Sequence, residues 1–394
     1  MRLNTRLRAA LTAADEDQIV YDITGIEDTY DALTGELPGV RVRFAMKACP
    51  VGAVLEALSG RGAGFDTAGP NEIAQALAAG APASEIHYGN TVKSDRDIAD
   101  AHRLGVRDFA TDSVEDVVAI AAGAPGSRVF CRLATAGTGA LWGLSRKNGC
   151  SAADAVRVLE TARASGLTPS GLSVHVGSQQ MTARAWQDAF DTLAWVLTEL
   201  RHRAIHLDHV NLGGGLPALG YHDLGGVALH PPMDEIFSAI RAGMRRLRAI
   251  APIGFVIEPG RHLVADHGAV RAHVVRLTTR RQLTGDTESW LYLSCGKFNG
   301  LYEMDQVQYR LVFPGHLGGD QVAAYVAGPT CDSDDTFSKG RARILVPRAV
   351  TSGDPVWILS SGAYSTSYTT LGFNGFAPLP VRFARDGARC PVDV

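Results

Sequence analysis

The chain has 394 residues, 46% of them hydrophobic, with 38 basic against 41 acidic side chains and a net charge of −3. That length supports a large buried core, divided between two domains or gathered in one large barrel with an addition. The near-neutral balance excludes the basic surplus of a nucleic-acid or anionic-membrane binder, and no apolar run approaches the ~20 residues of a membrane helix.

The start, MRLNTRLRAALTAADEDQ, holds a short apolar run that Asp15, Glu16 and Asp17 interrupt too early for a signal peptide. A soluble, cytoplasmic protein is expected. From about residue 40 the pattern alternates. The strand-like segments are VRVRFAMK, AGFDTAG, EIHYGN, RDFATDS, RVFCRLAT, GLSVHVGS, DHVNLGGG and GFVIEPG. Between most of them lie helical stretches such as PNEIAQALAAG, SAADAVRVLETARASG and PPMDEIFSAIRAGMRRLRAI, whose apolar residues recur at three and four. Eight βα units predict a closed (β/α)8 barrel of the TIM type over residues 20–268. Beyond it, AVRAHVVRLTTRRQ, SWLYLS, VAAYVAGPT, ARILVPRAV, PVWILSS and PVRFARD are short, β-branched and divided by turns. They predict an antiparallel β-sandwich or second barrel over 269–394, joined by residues 1–19. The six cysteines, Cys49, Cys131, Cys150, Cys295, Cys331 and Cys390, lack CxxC or His-rich spacing, which argues against a disulfide framework or a zinc site.

Barrels of this type place their chemistry at the C-terminal ends of the strands. Lys47, Asp66, Asn90, Asp112, Arg132, His175 with Ser178, Gly213–Gly215, and Glu258 with Arg261 fall there. Helix capping accounts for Asp112 and Ser113, but a cap needs no Lys, His, Glu or glycine run. Lys47 ends the apolar strand RFAMK. An amine there can form an imine with an aldehyde cofactor, although a lysine at a strand end is more often a solvated terminus. NLGGGLP follows a strand at 211–217, and its glycines would let backbone N–H groups close on a phosphate. A tight βα turn reads the same way. EPGRHLV puts Glu258 where a carboxylate could keep a pyridine nitrogen protonated, or could merely bridge to Arg261. HVGSQ offers a flat imidazole to stack on a ring and the Ser178 hydroxyl for a phosphate. A lone histidine is more often a packed structural residue.

Taken in order, FAMKACP, GFDTAGPNEI, HVGSQ, NLGGGLP, IEPGR, GPTCDSDD and GAYSTSYTTLGFNGF span residues 44–376. The set resembles the fold-type III pyridoxal-phosphate decarboxylases, the family of ornithine and diaminopimelate decarboxylases, nearest its ornithine decarboxylase-like branch. The resemblance implies an alanine racemase-like barrel, a pyridoxal 5'-phosphate cofactor, and a homodimer whose active sites are shared across the interface. It makes Lys47 the Schiff-base lysine, Glu258 the partner of the pyridine nitrogen and His175 the ring-stacking residue. Ser178, Gly214, Gly215, Arg261 and Tyr364 become the phosphate-binding set, with Gly260 also among the cofactor-binding residues. Asp66 and Arg132 match further cofactor-site positions, and Glu72 one that supports them. Cys331, from the partner copy, would steer protonation at Cα after carbon dioxide leaves. Asp332 would contact the distal amine of the substrate, with Phe373 nearby.

Diaminopimelate decarboxylases usually have Glu after that cysteine and an arginine-bearing RPxLY segment for the distal carboxylate. This chain has Asp332, and SWLYLSCGKFNGLYE in the corresponding place. A small amino-acid substrate ending in a cation is therefore expected, ornithine-like and yielding a diamine as in polyamine biosynthesis. The second amine-binding aspartate of animal-type ornithine decarboxylases is replaced by Cys295. Glu303 or Asp305 would supply that charge, or both would be solvated helix residues. Ornithine, lysine, arginine, diaminopimelate and a specialised biosynthetic amino acid all stay open as substrates. An alanine-racemase-type enzyme would lack the GPTCD and FNGF segments. A binding homologue that had lost catalysis would have lost Lys47, the glycine run or the Cys331–Asp332 pair. A metal-dependent hydrolase would want paired His and carboxylate ligands, and the strand-end set contains only His175.

Overall fold

The computed structural model describes residues 3–144 and 146–386; Cys390 lies outside them. The described residues pack as two units. One comprises residues 27–144, 146–217 and 231–260, the other residues 3–26, 218–230 and 261–386.

In the first unit eight parallel strands close into a barrel. They are Val40–Ala45, Gly64–Thr67, Ile86–Tyr88, Asp108–Thr111, Arg128–Arg132, Thr168–Ser173, His209–Asn211 and Gly254–Ile257, the last returning to pair with the first. Seven fall inside the segments expected; the sixth, Thr168–Ser173, begins three residues before GLSVHVGS and overlaps only its first three residues. The helices between them follow from local chemistry. Asp95–Arg103 starts at Ser94, whose side chain accepts the Asp97 N–H, and carries Asp95 and Asp97 at its positive end and His102 and Arg103 at its negative end. Arg184–His202 buries Trp186, Phe190, Leu193, Leu197 and Leu200, a spacing of three and four that lays one stripe against the barrel. Gly243 is required where helix Met233–Ile250 crosses it, since a Cβ there would stand 2.2 Å from the Phe190 ring. A two-stranded antiparallel sheet, Ala140–Trp142 with Ser178–Gln180, adds to the barrel loops. Strands of three residues carry no period that a sequence reading can detect.

The second unit is an eight-stranded sheet. Gly268–Arg281 pairs antiparallel with Thr287–Leu293, Pro355–Leu359 and Gln18–Asp22. The expectation of an antiparallel domain holds for most pairings, but two are parallel. Gln18–Asp22 lies parallel to Val381–Ala384, and Thr287–Leu293 to Gln321–Ala327. The connection through residues 294–320 is long enough for the crossover that a parallel pair requires. The segment expected to carry only an interrupted apolar run forms helix Thr5–Ala13, capped by Asn4, and its Leu7 and Leu11 pack with Val20, Ala269, Trp357 and Leu359. Among the described residues no helix is long and apolar enough to cross a membrane.

Candidate active site

The first barrel strand ends at Ala45, and Met46–Ala48 turns as a short 3-10 helix. Met46 and Ala48 are buried while Lys47 between them is exposed, so the turn is anchored by its neighbours and presents the amine. The backbone of Gly260 passes close by, where a Cβ would come within 2.9 Å of Ala48 Cβ. The Lys47 charge acts on Glu72, His175 and Glu258 alike, which gathers four of the expected residues at one end of the barrel.

Glu258 follows the last strand. Its Oε1 accepts from His87 Nε2 at 2.9 Å and from the Asn211 amide. Burial alone would raise its pKa, but the hydrogen bonds from His87 and Asn211 and the Lys47 charge outweigh it and hold the carboxyl down at about 2. His175, past the sixth strand, is driven the opposite way. Burial first, then the charges of Lys47 and Arg132, push its pKa down to about 3, so the ring is neutral. That ring lies against Gly214, where a Cβ would stand 3.2 Å from Cε1. Asp66 is next to last in the second strand and its Oδ1 lies 3.1 Å from His87 Nε2. Glu72, whose pKa burial raises, accepts the Ala68 N–H at 2.6 Å and fixes the loop between strand and helix. Arg132 and His175 line one cavity of about 400 Å³ with Thr135, Arg146 and Asn148. Ser178 stands in the two-stranded sheet, opposite Trp142.

The glycine run is needed first by the chain itself. Gly213 and Gly215 have φ of +66° and +114°, and a Cβ on either would strike the carbonyl of Val174 or Gly177. What fits a pyridoxal group is the donor set. It offers an accessible primary amine, a half-buried carboxylate held ionised for a ring N–H, and a neutral imidazole that adds no charge. His87 and Asn211 were not singled out in the sequence; only the alternation of side chains along a strand marked them as interior positions.

In the sheet unit Arg261 gives Nη1 to Tyr221 Oη at 2.8 Å and Nη2 to Glu303 Oε1 at 2.7 Å, with a second bond to Glu303 through Nη1. The Tyr364 ring, itself at φ +63°, lies 4.8 Å from the guanidinium. Glu303 is 4% exposed. It is the counter-charge of Arg261, so its charge is already met within the chain, unlike the spare charge or solvated helix residue expected. Cys295 is buried, its thiol directed at the Asn299 carbonyl at 3.6 Å, and burial pushes its pKa well up, so it brings no charge either. Asp305 faces Lys297 at 3.3 Å and Lys339 at 3.6 Å. Asp332 is exposed, its Oδ1 accepting the Asp334 N–H at 2.8 Å. Beside it Cys331 is also exposed, and its N–H and Sγ both point to Asn374 Oδ1, at 3.0 and 3.3 Å. Phe373 packs on Phe298 with ring centres 4.3 Å apart. One organising residue was missed. Asp335, 1% exposed, accepts from Lys297 N at 2.7 Å and from Thr330 N and Oγ1 at 3.0 and 2.7 Å, pinning GPTCDSDD to CGKF.

The neutral histidines make stability depend on pH. His175 and His209 are held at about 3 and about 4, His209 by burial that outweighs the nearby Asp108. Neither His209 ring nitrogen has a hydrogen-bond partner. Both groups would take protons near their ordinary value in the unfolded chain but refuse them when folded. Unfolding then binds protons, and stability falls as pH drops below about 6.5. The cofactor-free protein should lose several kcal/mol between about pH 6.5 and 4.5, at roughly 1.4 kcal/mol per unit per group. Urea unfolding at the two pH values measures this, and His209→Phe should flatten the slope. An unchanged midpoint would contradict the assignment of neutral rings.

Comparison with known proteins was made on this geometry. Residues 23–265 match the family described as "Pyridoxal-dependent decarboxylase, pyridoxal binding domain". The chain is 28% identical to a lysine/ornithine decarboxylase of Selenomonas ruminantium over 93% of this chain and 89% of that one. It is 30% identical to a diaminopimelate decarboxylase of Pseudomonas fluorescens over 90% and 85%. The crystal structure of a lysine/ornithine decarboxylase from Vibrio vulnificus, complexed with putrescine, superposes with a TM-score of 0.83 at 27% identity, covering 97% of this chain and 99% of that one.

Proposed function

The chain belongs to the pyridoxal-dependent decarboxylases, and from that premise we propose that it removes the α-carboxylate of a basic amino acid, ornithine or lysine in type, with pyridoxal 5'-phosphate as cofactor. The observation that carries this reading is Lys47 set beside an ionised Glu258 and a neutral His175 at the strand ends. The bound cofactor supplies an electron sink for the pair released when carbon dioxide leaves Cα. Lys47 would hold it, Glu258 would accept a ring N–H and keep that proton in place, His175 would stack on the ring without adding charge, and Ser178, Gly214 and Gly215 would hold the phosphate. Cys331 returns a proton to Cα, and Asp332 binds the distal ammonium, both reaching in from a second copy of the chain. A homodimer and a cytoplasmic location belong to the same reading, and the free cysteines among the described residues fit a reducing compartment.

The relative at 30% identity makes diaminopimelate the second candidate. Overall identity does not discriminate between these substrates; the charge facing the distal end does. With Glu303 and Asp305 paired to cations, Asp332 is the carboxylate left for a substrate ammonium. Asp332→Asn should therefore raise KM for ornithine or lysine by about thirtyfold or more, the equivalent of ~2 kcal/mol for a lost charge pair. Its kcat should change little. An unchanged KM for every basic amino acid turned over would remove Asp332 from the site and the distal cation from the argument.

A further inference from the structure

Barrel interiors are normally filled by branched aliphatic side chains. Here a hydrogen-bonded polar chain crosses the interior. Ser170 Oγ donates to Asp108 Oδ1 at 3.0 Å, Asp108 Oδ2 pairs with Arg43 Nη1 at 3.2 Å, and the same Nη1 lies 2.7 Å from His87 Nδ1. His87 Nε2 then meets Glu258 Oε1 at 2.9 Å and Asp66 Oδ1 at 3.1 Å. Arg43 is 2% exposed and His87 fully buried. So much buried polarity is costly unless every link is made.

The links fix one protonation state. A guanidinium has donors only and stays charged in proteins. Nδ1 of His87 must therefore be the bare, accepting nitrogen, and the single ring proton sits on Nε2 between two carboxylates. An imidazolium would put a second proton on Nδ1, facing Arg43. Asp66, His87 and Glu258 also have the mutual spacing of a metal triad, with donor atoms within 4.8 Å. A metal, however, would need the lone pair on Nε2, and a ligating histidine donates through its other nitrogen rather than accepting there.

We infer that Arg43 and His87 form a positioning pair for Glu258. Arg43 locks the His87 tautomer, and the locked Nε2–H, with the Asn211 amide, engages Oε1 and leaves Oε2 to meet the cofactor ring. This rests on the reading of Glu258 as the ring-nitrogen partner. The charged and titratable groups around the pair are Lys47, Asp66, Asp108, His209 and Glu258; burial and the Arg43 charge push the His87 pKa down, the bonds to Asp66 and Glu258 raise it on balance, and the neutral tautomer is assigned from the Arg43 donor 2.7 Å from Nδ1.

Two measurements test it. In the holoenzyme labelled with 15N-histidine, His87, assigned by its loss in His87→Gln, should show the neutral Nε2–H tautomer from about pH 5.5 to 8.5. An imidazolium at neutral pH, or the Nδ1–H tautomer, overturns the pair. His87→Leu should raise the dissociation constant of pyridoxal 5'-phosphate by about tenfold or more and alter the pH profile of its visible band. His87→Gln can still accept from Arg43 and donate to Glu258, and should restore both to within about threefold. A leucine variant that binds and absorbs like the unmodified protein overturns the pair. Glu258→Gln separates the two failures. If it changes the band and His87→Leu does not, the pair falls and the Glu258 reading stands; if neither does, the Glu258 reading itself falls. Should the leucine variant not fold, the labelled unmodified protein decides alone.

Discussion

Lys47→Ala is expected to abolish turnover, by at least about a thousandfold, and to remove the visible absorbance of lysine-linked pyridoxal phosphate. Of the strand-end residues at this end of the barrel, Lys47 is the primary amine exposed between two buried neighbours. Its removal also takes away a positive charge that lowers the pKa of both His175 and Glu258. The His175 pKa should then rise, so the variant apoprotein should lose less stability on acidification than the unmodified one. Borohydride reduction of the loaded, unmodified protein followed by peptide mapping should mark the FAMK peptide. Marking of a different lysine, or retained absorbance in Lys47→Ala, would remove the cofactor from this position.

The second large effect is expected at Glu258. Glu258→Gln keeps the size and one acceptor but discards the charge that His87, Asn211 and Lys47 together hold in place. A preorganised charge of this kind contributes on the order of a hundredfold to kcat. KM should move less than kcat, because the charge acts on the ring and not on the amino acid. The variant should also lose the acid-side stability that Glu258 supplies. With its folded pKa near 2 against about 4.5 unfolded, that contribution is present above the unfolded value and disappears as pH falls toward 2. A kcat within a factor of a few of the unmodified enzyme would mean that the ring nitrogen needs no partner here.

The barrel was legible because each strand is a short apolar run that ends in glycine or a polar residue. Lys47, His175 and Glu258 were legible because a strand end is where barrel chemistry collects. What escaped is what depends on pairing across the chain. His87 lies in the three-residue strand Ile86–Tyr88, where nothing local distinguishes an interior histidine from a packed one; its meaning comes from Arg43 and Glu258 on other strands. Glu303 read as a spare negative charge because its partner, Arg261, is 42 residues away. Asp335 was the last of four acidic or small residues in CDSDD, and only its burial separates it from Asp332. The strand Gln18–Asp22 went unnamed because it is completed by Val381–Ala384 at the far end of the chain.

The most direct test of the account is carbon dioxide release by the purified, pyridoxal-phosphate-loaded protein from ornithine, lysine, arginine, diaminobutyrate and diaminopimelate. Release from one or more of the four amino acids that end in a cation, well above that from diaminopimelate, is expected. Release from diaminopimelate alone, or loss of optical rotation without any carbon dioxide, would contradict it.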